Sequence, residues 1–330
     1  MNFSLEDIRA SAVAALVERA GEFGLEAGRL QVSYVLNWGG FVNQSFHVSD
    51  GARRYHLKLA SERELVDGLV QWRELHGLLE ERYPAPHMAG WIDLPGTRHS
   101  GPLFEFVDGV MPVARSPALL ANISPMLARL HQDGELAARV AAERQSMVCL
   151  ESFLDTYLAR FQGDVALITN APPPFVDAAM VAWMQREIQQ LEHTARAMEA
   201  FSEPVRSAIH GDLWLNNILV TDAGRYVVLD WDGLGLGDPA VDWAMFLGPT
   251  TQELRPLSMD DLPPEVPNDA RFRERLAFYA RASLFDWILD PLADWIDADA
   301  APELVNEVRV EKERVHRGAL ASYRELYAPS

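Results

Sequence analysis

The sequence contains a single cysteine, Cys149, among its 330 residues. One cysteine excludes an internal disulfide framework and any zinc or iron–sulfur site that is built from several thiolates. Long apolar runs are also missing, because no stretch approaches the roughly 18 consecutive apolar residues that a membrane helix needs. The polar, acidic beginning MNFSLEDIRA lacks the basic and apolar segments of a secretory signal peptide. These absences predict a soluble, cytoplasmic protein with no membrane partner.

Basic residues are few, since 29 Lys and Arg stand against 48 Asp and Glu, for a net charge of −19. Proteins that bind nucleic acid use Lys and Arg to neutralise phosphates. The composition therefore predicts no nucleic-acid partner and more easily accommodates a cationic or neutral ligand. With 48% hydrophobic residues, the chain can bury a sizeable core.

The first hundred residues combine helix and strand patterns. Residues 4–20 predict an amphipathic helix capped by Ser4, with Asp7 completing a capping box. A second helical pattern at 62–82 ends before a proline-rich turn. The strand-like runs are 32–36, 45–48, 55–59 and 103–107. This mixture predicts a small lobe that is rich in β-structure.

Helical patterns predominate in the rest of the chain. The predicted helices are 116–131, 150–161, 175–201, 271–289 and 303–326. Compact strand-like runs interrupt them between residues 206 and 230. The sequence therefore predicts an N-terminal lobe at 1–102, a hinge at 103–109 and a helical C-terminal lobe at 110–330, and ligand sites favour such domain junctions.

The segment SAIHGDLWLNNILV, residues 207–220, carries the pattern that is most informative about chemistry. His210 comes two residues before Asp212, and Asn217 comes five residues after it. Thirteen residues beyond Asn217, after the apolar run YVVL, lies Asp230. Each piece alone is typical of an ordinary turn, but their combination at fixed offsets between apolar strands favours a functional site.

This spacing suits phosphoryl transfer, which depends on positioning and charge neutralisation more than on covalent chemistry. One carboxylate orients the attacking hydroxyl and accepts its proton, while an amide oxygen and a second carboxylate hold Mg²⁺ on the phosphates of ATP. Asp212 is therefore the predicted catalytic base, and Asn217 and Asp230 are the predicted metal ligands. We interpret His210 as a buried, hydrogen-bonded brace of the loop.

The segments HGDLWLNNILV and VLDWDGLGLGDPAVDWA resemble the signatures HGDxxxxN and DW…GDPxxDLA of the aminoglycoside phosphotransferase and choline kinase-like superfamily. The resemblance implies an α+β, bilobal protein-kinase-like fold, with a small β-rich N-terminal lobe and a larger, mainly helical C-terminal lobe. It also implies ATP and Mg²⁺ as cofactors, a small-molecule hydroxyl as the acceptor, and a structural role for Asp242. Trp214, Leu215 and Asn216 replace the His-Pro-Gly of the commonest motif, which leaves the substrate class open.

The resemblance also implies nucleotide-binding residues in the first lobe. Lys58 projects from the strand-like run YHLKL on the face opposite Leu57, where it would contact the phosphates. Such a lysine is held by a glutamate on a helix in protein kinases. Glu74 is our first choice by position, and Glu62 and Glu64 are the alternatives.

Two further segments resemble parts of the family's nucleotide site. The run NWGGFVN between two strands includes Gly39, Gly40 and Asn43, and glycines there would let backbone amides approach the phosphates. The other interpretation of this run is a hairpin turn. The run FEFVDG resembles the hinge, where the backbone of Glu105 and Val107 would meet adenine, although a buried strand explains the pattern equally well.

An acidic and aromatic region in the last predicted lobe is a candidate acceptor site. Asp286, Asp290 and Asp294 recur every fourth residue, followed by acids at 297 and 299, with tryptophans at 287 and 295. Acids beside aromatic rings suit an amine-bearing substrate. Pro291 is a possible helix breaker, and acidic stripes are usually solvated faces, so both interpretations stay open.

Three functional hypotheses follow from these patterns. The leading one is an ATP-dependent kinase that acts on a small hydroxyl-bearing molecule. The second is protein Ser/Thr phosphorylation by the same fold. The third is a nucleotide-binding regulator without turnover, which the intact Asp212, Asn217 and Asp230 disfavour.

Overall fold

The computed structural model describes residues 4–35, 43–140, 147–254, 258–298 and 305–327. The strands are β1 Gln31–Val35, β2 Gln44–Ser49, β3 Arg54–Leu59, β4 Met88–Asp93, β5 Ser100–Glu105, β6 Ser207–Ile209, β7 Ile218–Val220, β8 Tyr226–Val228 and β9 Gly235–Gly237. The helices are α1 Leu5–Glu18, α2 Arg63–Arg82, α3 Pro117–Gln132, α4 Gly134–Val140, α5 Cys149–Phe153, α6 Ala159–Asn170, α7 Ala178–Ala197, α8 Pro239–Leu247, α9 Ala270–Asp297 and α10 Val305–Tyr327. In the described ranges, no helix is long and apolar enough to cross a membrane.

The N-terminal part is built on an antiparallel sheet with the strand order β1-β2-β3-β5-β4. Four of its strands confirm the alternating runs of the sequence. The strand β4 was not predicted, because Gly90 interrupts its pattern and coincides with a register shift in its pairing with β5.

Helix α1 packs on this sheet and begins as predicted. The Ser4 hydroxyl accepts a hydrogen bond from the Asp7 backbone N–H, and the Asp7 carboxylate accepts one from the Ser4 N–H. Its apolar face joins the fully buried Phe46 and Leu57 of the sheet in one core cluster. Burial of this face, rather than helix propensity, stabilises the helix in this position.

The chain forms two compact units, and neither is continuous in sequence. The first unit contains Met1–Met111 and Asn216–Gly233, and the second contains Pro112–Leu215 and Leu234–Ser330. The first unit thus includes the hairpin of β7 and β8 and the short turn Trp231–Gly233, which packs against α2. The boundaries at 102 and 109 that the sequence suggests stay a prediction.

The second unit is mainly helical and has an aromatic core. Phe153, Phe201, Phe278 and Tyr279 pack ring against ring at centroid distances of 5.0 to 6.4 Å, together with Tyr157. Tyr157 lies in a π-helical turn, Leu154–Leu158, that joins α5 to α6. Such turns often occur at functional sites.

Helix α9 runs through Pro291 to Asp297, so the expectation that this proline breaks the helix is wrong. Leu289 and Leu292, which flank the proline, are fully buried. Burial of both neighbours outweighs the one backbone hydrogen bond that proline removes. Packing therefore decides the length of this helix.

Candidate active site

The turn that carries Asp212 is held in the second unit by Asp242 of α8. The two carboxylate oxygens of Asp242 accept hydrogen bonds from the backbone N–H groups of His210 at 2.8 Å and Gly211 at 2.9 Å. His131 of α3 lies 2.9 Å from the same carboxylate. Gly211 has a φ of +82°, which glycine adopts without strain. These contacts give Asp242 the structural role that the resemblance implies.

The charge of Asp242 is maintained in a fully buried position. Burial alone would raise the pKa of this carboxyl, but the hydrogen bond and charge of His131, with the N–H of Gly211, outweigh burial and lower the pKa. His210 is also fully buried, and its Nδ1 lies 3.3 Å from the backbone nitrogen of Asp212. The predicted brace role of His210 agrees with this arrangement.

Asp212 is half-buried and lies in a region of acidic and aromatic side chains. The ring of Trp214, two residues later, meets the ring of Trp287 on α9 edge to face at 5.6 Å. Burial and the charges of nearby acids, Asp212 among them, raise the pKa of Asp286 to about 7. The second unit therefore places an aromatic pair and further carboxylates around the predicted base.

Three acids of the second unit, Asp164, Asp286 and Asp290, form what we call the acidic cluster. Arg160 pairs with Asp286 at 2.5 Å. The Oδ1 of Asp286 and the hydroxyl of Tyr157 are buried without a hydrogen-bond partner in the described part of the chain. Burial raises the pKa of Asp164 to about 6. One guanidinium among three carboxylates leaves an excess of acid, which a cationic group of a ligand would offset.

The acidic stripe of α9 is not a solvated face. Asp286 is only 4% exposed and Asp294 only 8%. Asp294 pairs with the buried Lys312 of α10 and belongs to the helix packing, whereas Asp286 belongs to the acidic cluster. The acid at 299 lies outside the described residues. Only the first part of the predicted stripe can therefore face an acceptor.

Lys58 lies in the first unit between two aspartates. Its Nζ is 3.0 Å from Oδ1 of Asp230 and 2.8 Å from Oδ2 of Asp232. The residue is 5% exposed. Burial lowers the pKa of Lys58, but the charges and hydrogen bonds of the two aspartates outweigh burial and raise the pKa above its usual value. Lys58 is therefore a buried ammonium group held by carboxylates.

The structure does not bring Glu74 to Lys58, and this expectation is corrected. Glu74 is exposed on α2, as are the alternatives Glu62 and Glu64. The ion pairs that the described residues make with Lys58 come from the turn after β8 instead. Spacing along the sequence cannot show this, because it depends on how α2 is rotated against that turn.

The two predicted metal ligands follow from the pairing of β7 with β8. Asn217 directly precedes β7, and its carbonyl accepts a hydrogen bond from the Leu229 N–H at 2.7 Å. Asp230, the next residue, has a φ of +56°, a left-handed conformation that is rare outside glycine. The ladder thus brings an amide and a carboxylate to the same end of one hairpin. Hard oxygen donors of this kind fit Mg²⁺.

The remaining predicted nucleotide residues are placed as follows. Gly39 and Gly40 lie outside the described residues. Asn43 donates from its Nδ2 to Oδ2 of Asp232 at 3.2 Å. Glu105 is the last residue of β5 and Val107 follows it, with the Glu105 N–H bonded to the His87 carbonyl. The roles of Glu105 and Val107 at adenine stay predictions.

Sequence reasoning assigned no role to several residues that the structure brings to these sites. Tyr157 lies in the π-helical turn and Arg160 at the start of α6, directly after that turn, and both adjoin the acidic cluster. No sequence pattern indicates a π-helical turn. Asp232, which contacts Lys58, is another residue to which the sequence assigned no role. Its place two residues after a predicted metal ligand was the available signal.

Comparisons with known proteins agree with these observations. A model of the phosphotransferase enzyme family matches residues 33–287. No match is found among curated proteins. Among solved structures, a choline kinase from Cryptosporidium parvum Iowa II is 16% identical, with a TM-score of 0.55 over 96% of this chain and 95% of that chain.

Two other solved structures are similar. A spectinomycin phosphotransferase in complex with ADP and spectinomycin is 14% identical, with a TM-score of 0.56 over 93% of this chain and 91% of its own. A Plasmodium vivax ethanolamine kinase is 13% identical, with a TM-score of 0.53 over 96% and 89%. These likenesses confirm the predicted kinase-like fold, with its β-rich N-terminal part and mostly helical C-terminal part. Because the family model covers well over half of its length, the chain belongs to the phosphotransferase enzyme family.

Proposed function

We propose that this protein is an ATP- and Mg²⁺-dependent phosphotransferase that transfers the γ-phosphoryl group to a hydroxyl of a small, amine-bearing molecule. The coarser statement, a small-molecule phosphotransferase, is supported by the family and by kinases among the structural neighbours. The observation that carries the proposal is the ion pair of Lys58 with Asp230, which joins residues 172 positions apart in sequence. The contact places the predicted phosphate-binding lysine beside a predicted metal ligand, and a site for a Mg²⁺-bound triphosphate needs both groups close together.

Each residue has a role that its surroundings permit. Asp212 orients the acceptor hydroxyl and takes its proton, on a turn that Asp242 keeps rigid. Lys58 contacts the phosphates. Asn217 and Asp230 would hold Mg²⁺, which when bound neutralises charge that develops on the transferred group. We keep the division into lobes at 1–102 and 110–330, with a hinge at 103–109, as part of this proposal.

The amine preference rests on the second unit. The acidic cluster has more carboxylates than Arg160 can neutralise, and the packed pair of Trp214 and Trp287 adds aromatic rings of the kind that cations favour. Two of the structural neighbours are named as choline and ethanolamine kinases, whose substrates carry amines. A neutral acceptor would leave the excess negative charge of these acids uncompensated.

The test is a panel of acceptors with ATP and Mg²⁺. Amino sugars, ethanolamine-like amines and glycated amines are compared with the same compounds acetylated on nitrogen, and with neutral macrolides and sterols. Choline, whose quaternary nitrogen cannot be acetylated, is compared with its uncharged carbon analogue 3,3-dimethylbutan-1-ol. Mass spectrometry detects the phosphorylated product, and ADP release gives the rate. We expect at least one amine to be phosphorylated and its acetylated counterpart to react much more slowly.

Two other outcomes would replace the proposal. Labelling of proteins in a mixed extract, with no small molecule phosphorylated, would indicate a protein kinase. Binding of ATP without its consumption on any acceptor would indicate a regulator. A preference for the acetylated compounds would support phosphoryl transfer to a small molecule but contradict the proposed preference for amines.

A further inference from the structure

Lys58 carries one positive charge but contacts two carboxylates. Its single ammonium group contacts Asp230 at 3.0 Å and Asp232 at 2.8 Å. A buried cation without a partner is costly, so Lys58 needs at least one of the two carboxylates to hold it before the phosphates of a nucleotide arrive. If Asp230 serves a metal ion, Asp232 is the partner that remains.

The side chain of Asp232 is held in place from the sheet. The same Oδ2 that contacts Lys58 accepts a hydrogen bond from Nδ2 of Asn43, just before β2, at 3.2 Å. Residues of two adjacent strand regions therefore converge on one oxygen. Asp232 itself is only 20% exposed, which limits its freedom to turn toward solvent.

Helix α2 meets this turn with a glycine and not with a carboxylate. A Cβ atom on Gly68 would lie 2.7 Å from the carbonyl oxygen of Asp232. The helix backbone thus approaches the turn more closely than any side chain would allow. The three candidate glutamates of this region are exposed. The carboxylate that pairs with Lys58 therefore comes from Asp232 of the turn and not from a glutamate of α2.

We propose that Asp232 is the positioning residue of Lys58: it keeps the ammonium group paired when Asp230 turns to the metal ion, so that Lys58 does not have to hold Asp230. Asn43 in turn fixes Asp232. This inference rests on the proposed function, because it assigns Asp230 to a metal.

A double-mutant cycle tests this division of roles. ADP affinity is measured by calorimetry at increasing Mg²⁺ concentrations for the wild type, Asp232→Asn, Lys58→Met and the double variant. Without the Asp232 carboxylate, Lys58 pairs with Asp230 alone and competes with Mg²⁺ for the Asp230 carboxylate. We expect Asp232→Asn to raise the half-saturating Mg²⁺ concentration about tenfold, the equivalent of one hydrogen bond to a charged group. In the Lys58→Met background the same substitution should have no effect.

The controls separate the possible failures. Asp222→Asn makes the same charge change on an exposed turn of the first unit and should leave the titration unchanged. An equal shift in both backgrounds would make Asp232 a metal ligand and overturn the proposal, as would no shift in either. If Lys58→Met does not fold, the uncharged Lys58→Gln takes its place, and Asn43→Ala should shift the titration in the same direction as Asp232→Asn. A wild type that binds no ADP at any Mg²⁺ concentration refutes the proposed function itself.

Discussion

Asp212 is the residue whose loss should separate chemistry from folding. Its turn is held by hydrogen bonds from the backbone of His210 and Gly211 to Asp242, so replacement of the Asp212 side chain leaves those bonds in place. We expect Asp212→Ala to lower turnover by about 10²- to 10⁴-fold, the usual contribution of a general base. The thermal midpoint and the ADP affinity should stay near those of the wild type.

Steady-state kinetics with the acceptor found in the panel, together with calorimetry, measure these quantities. Asp222→Ala removes an equally charged but exposed side chain and serves as the control. Turnover that is unchanged in Asp212→Ala would remove this residue from the mechanism.

Some residues of the site can be identified from the sequence alone, and others cannot. Asp212, Asn217 and Asp230 could be chosen because short offsets between apolar strands restrict where their side chains can go. The partner of Lys58 could not be chosen in this way. That partner depends on the close approach of Gly68 to Asp232, which is a contact between segments far apart in the sequence.

At the scale of elements, α2 contains two glycines with opposite surroundings. A Cβ on Gly68 would meet the Asp232 carbonyl oxygen at 2.7 Å, whereas a Cβ on Gly77 would meet nothing within 4 Å. Gly68→Ala should therefore destabilise the protein by about 1–3 kcal/mol through overpacking. Gly77→Ala should stabilise it by about 0.5–1 kcal/mol, because alanine favours a helix interior over glycine.

Urea unfolding of both variants measures the difference. The two substitutions are chemically identical and lie on one helix, so each is the control of the other. Equal effects of the two would show that α2 does not pack closely on the turn.

The hairpin between β2 and β3 should make stability depend on acid. The backbone N–H groups of Arg53, Glu26 and Ala52 donate to the Asp50 carboxylate and lower its pKa to about 2. Because the folded-state pKa lies below the usual value of 3.8, the stabilisation is present above about pH 4 and is lost as the pH falls toward 2.

Unfolding free energies of the wild type and Asp50→Ala at pH 6 and pH 3 test this dependence. We expect the variant to be less stable at pH 6 and the difference to shrink at pH 3. A difference that grows on acidification would mean that the carboxylate does not accept these hydrogen bonds.

Elements differ in how well local patterns reveal them. The strands β2 and β3 and the helix α1 were predicted because alternation, helical periodicity and a capping box are local signals. The strand β4 was missed because Gly90 weakens its pattern, and α9 was predicted too short because Pro291 is a local breaker. In both cases, pairing or burial by distant residues decided the outcome.

At the scale of the whole molecule, the grouping of residues 216–233 with the N-terminal part could not be predicted. The sequence places this segment among helices of the second unit. Its two short strands pair with each other, and Val220 of β7 also bridges to Val110. Such long-range contacts leave no periodic trace in the sequence.

The net charge of −19 should make stability depend on salt across the whole molecule. Excess negative charge repels itself most strongly in the compact state. Sodium chloride shortens the screening length from about 30 Å at 0.01 M to about 10 Å at 0.1 M. Screening that adds about 1 kcal/mol would raise the thermal midpoint of a chain of this length by roughly 1–2 °C.

Chloride is the suitable anion for this measurement, because sulfate stabilises proteins by exclusion from their surface whatever their charge. The same titration near pH 5, close to the isoelectric point of about 4.8, is the control. There the repulsion is nearly absent, and salt only weakens exposed pairs such as Arg54 with Asp108. The midpoint should then stay constant or fall. An equal rise at both pH values would show that charge repulsion is not what salt relieves.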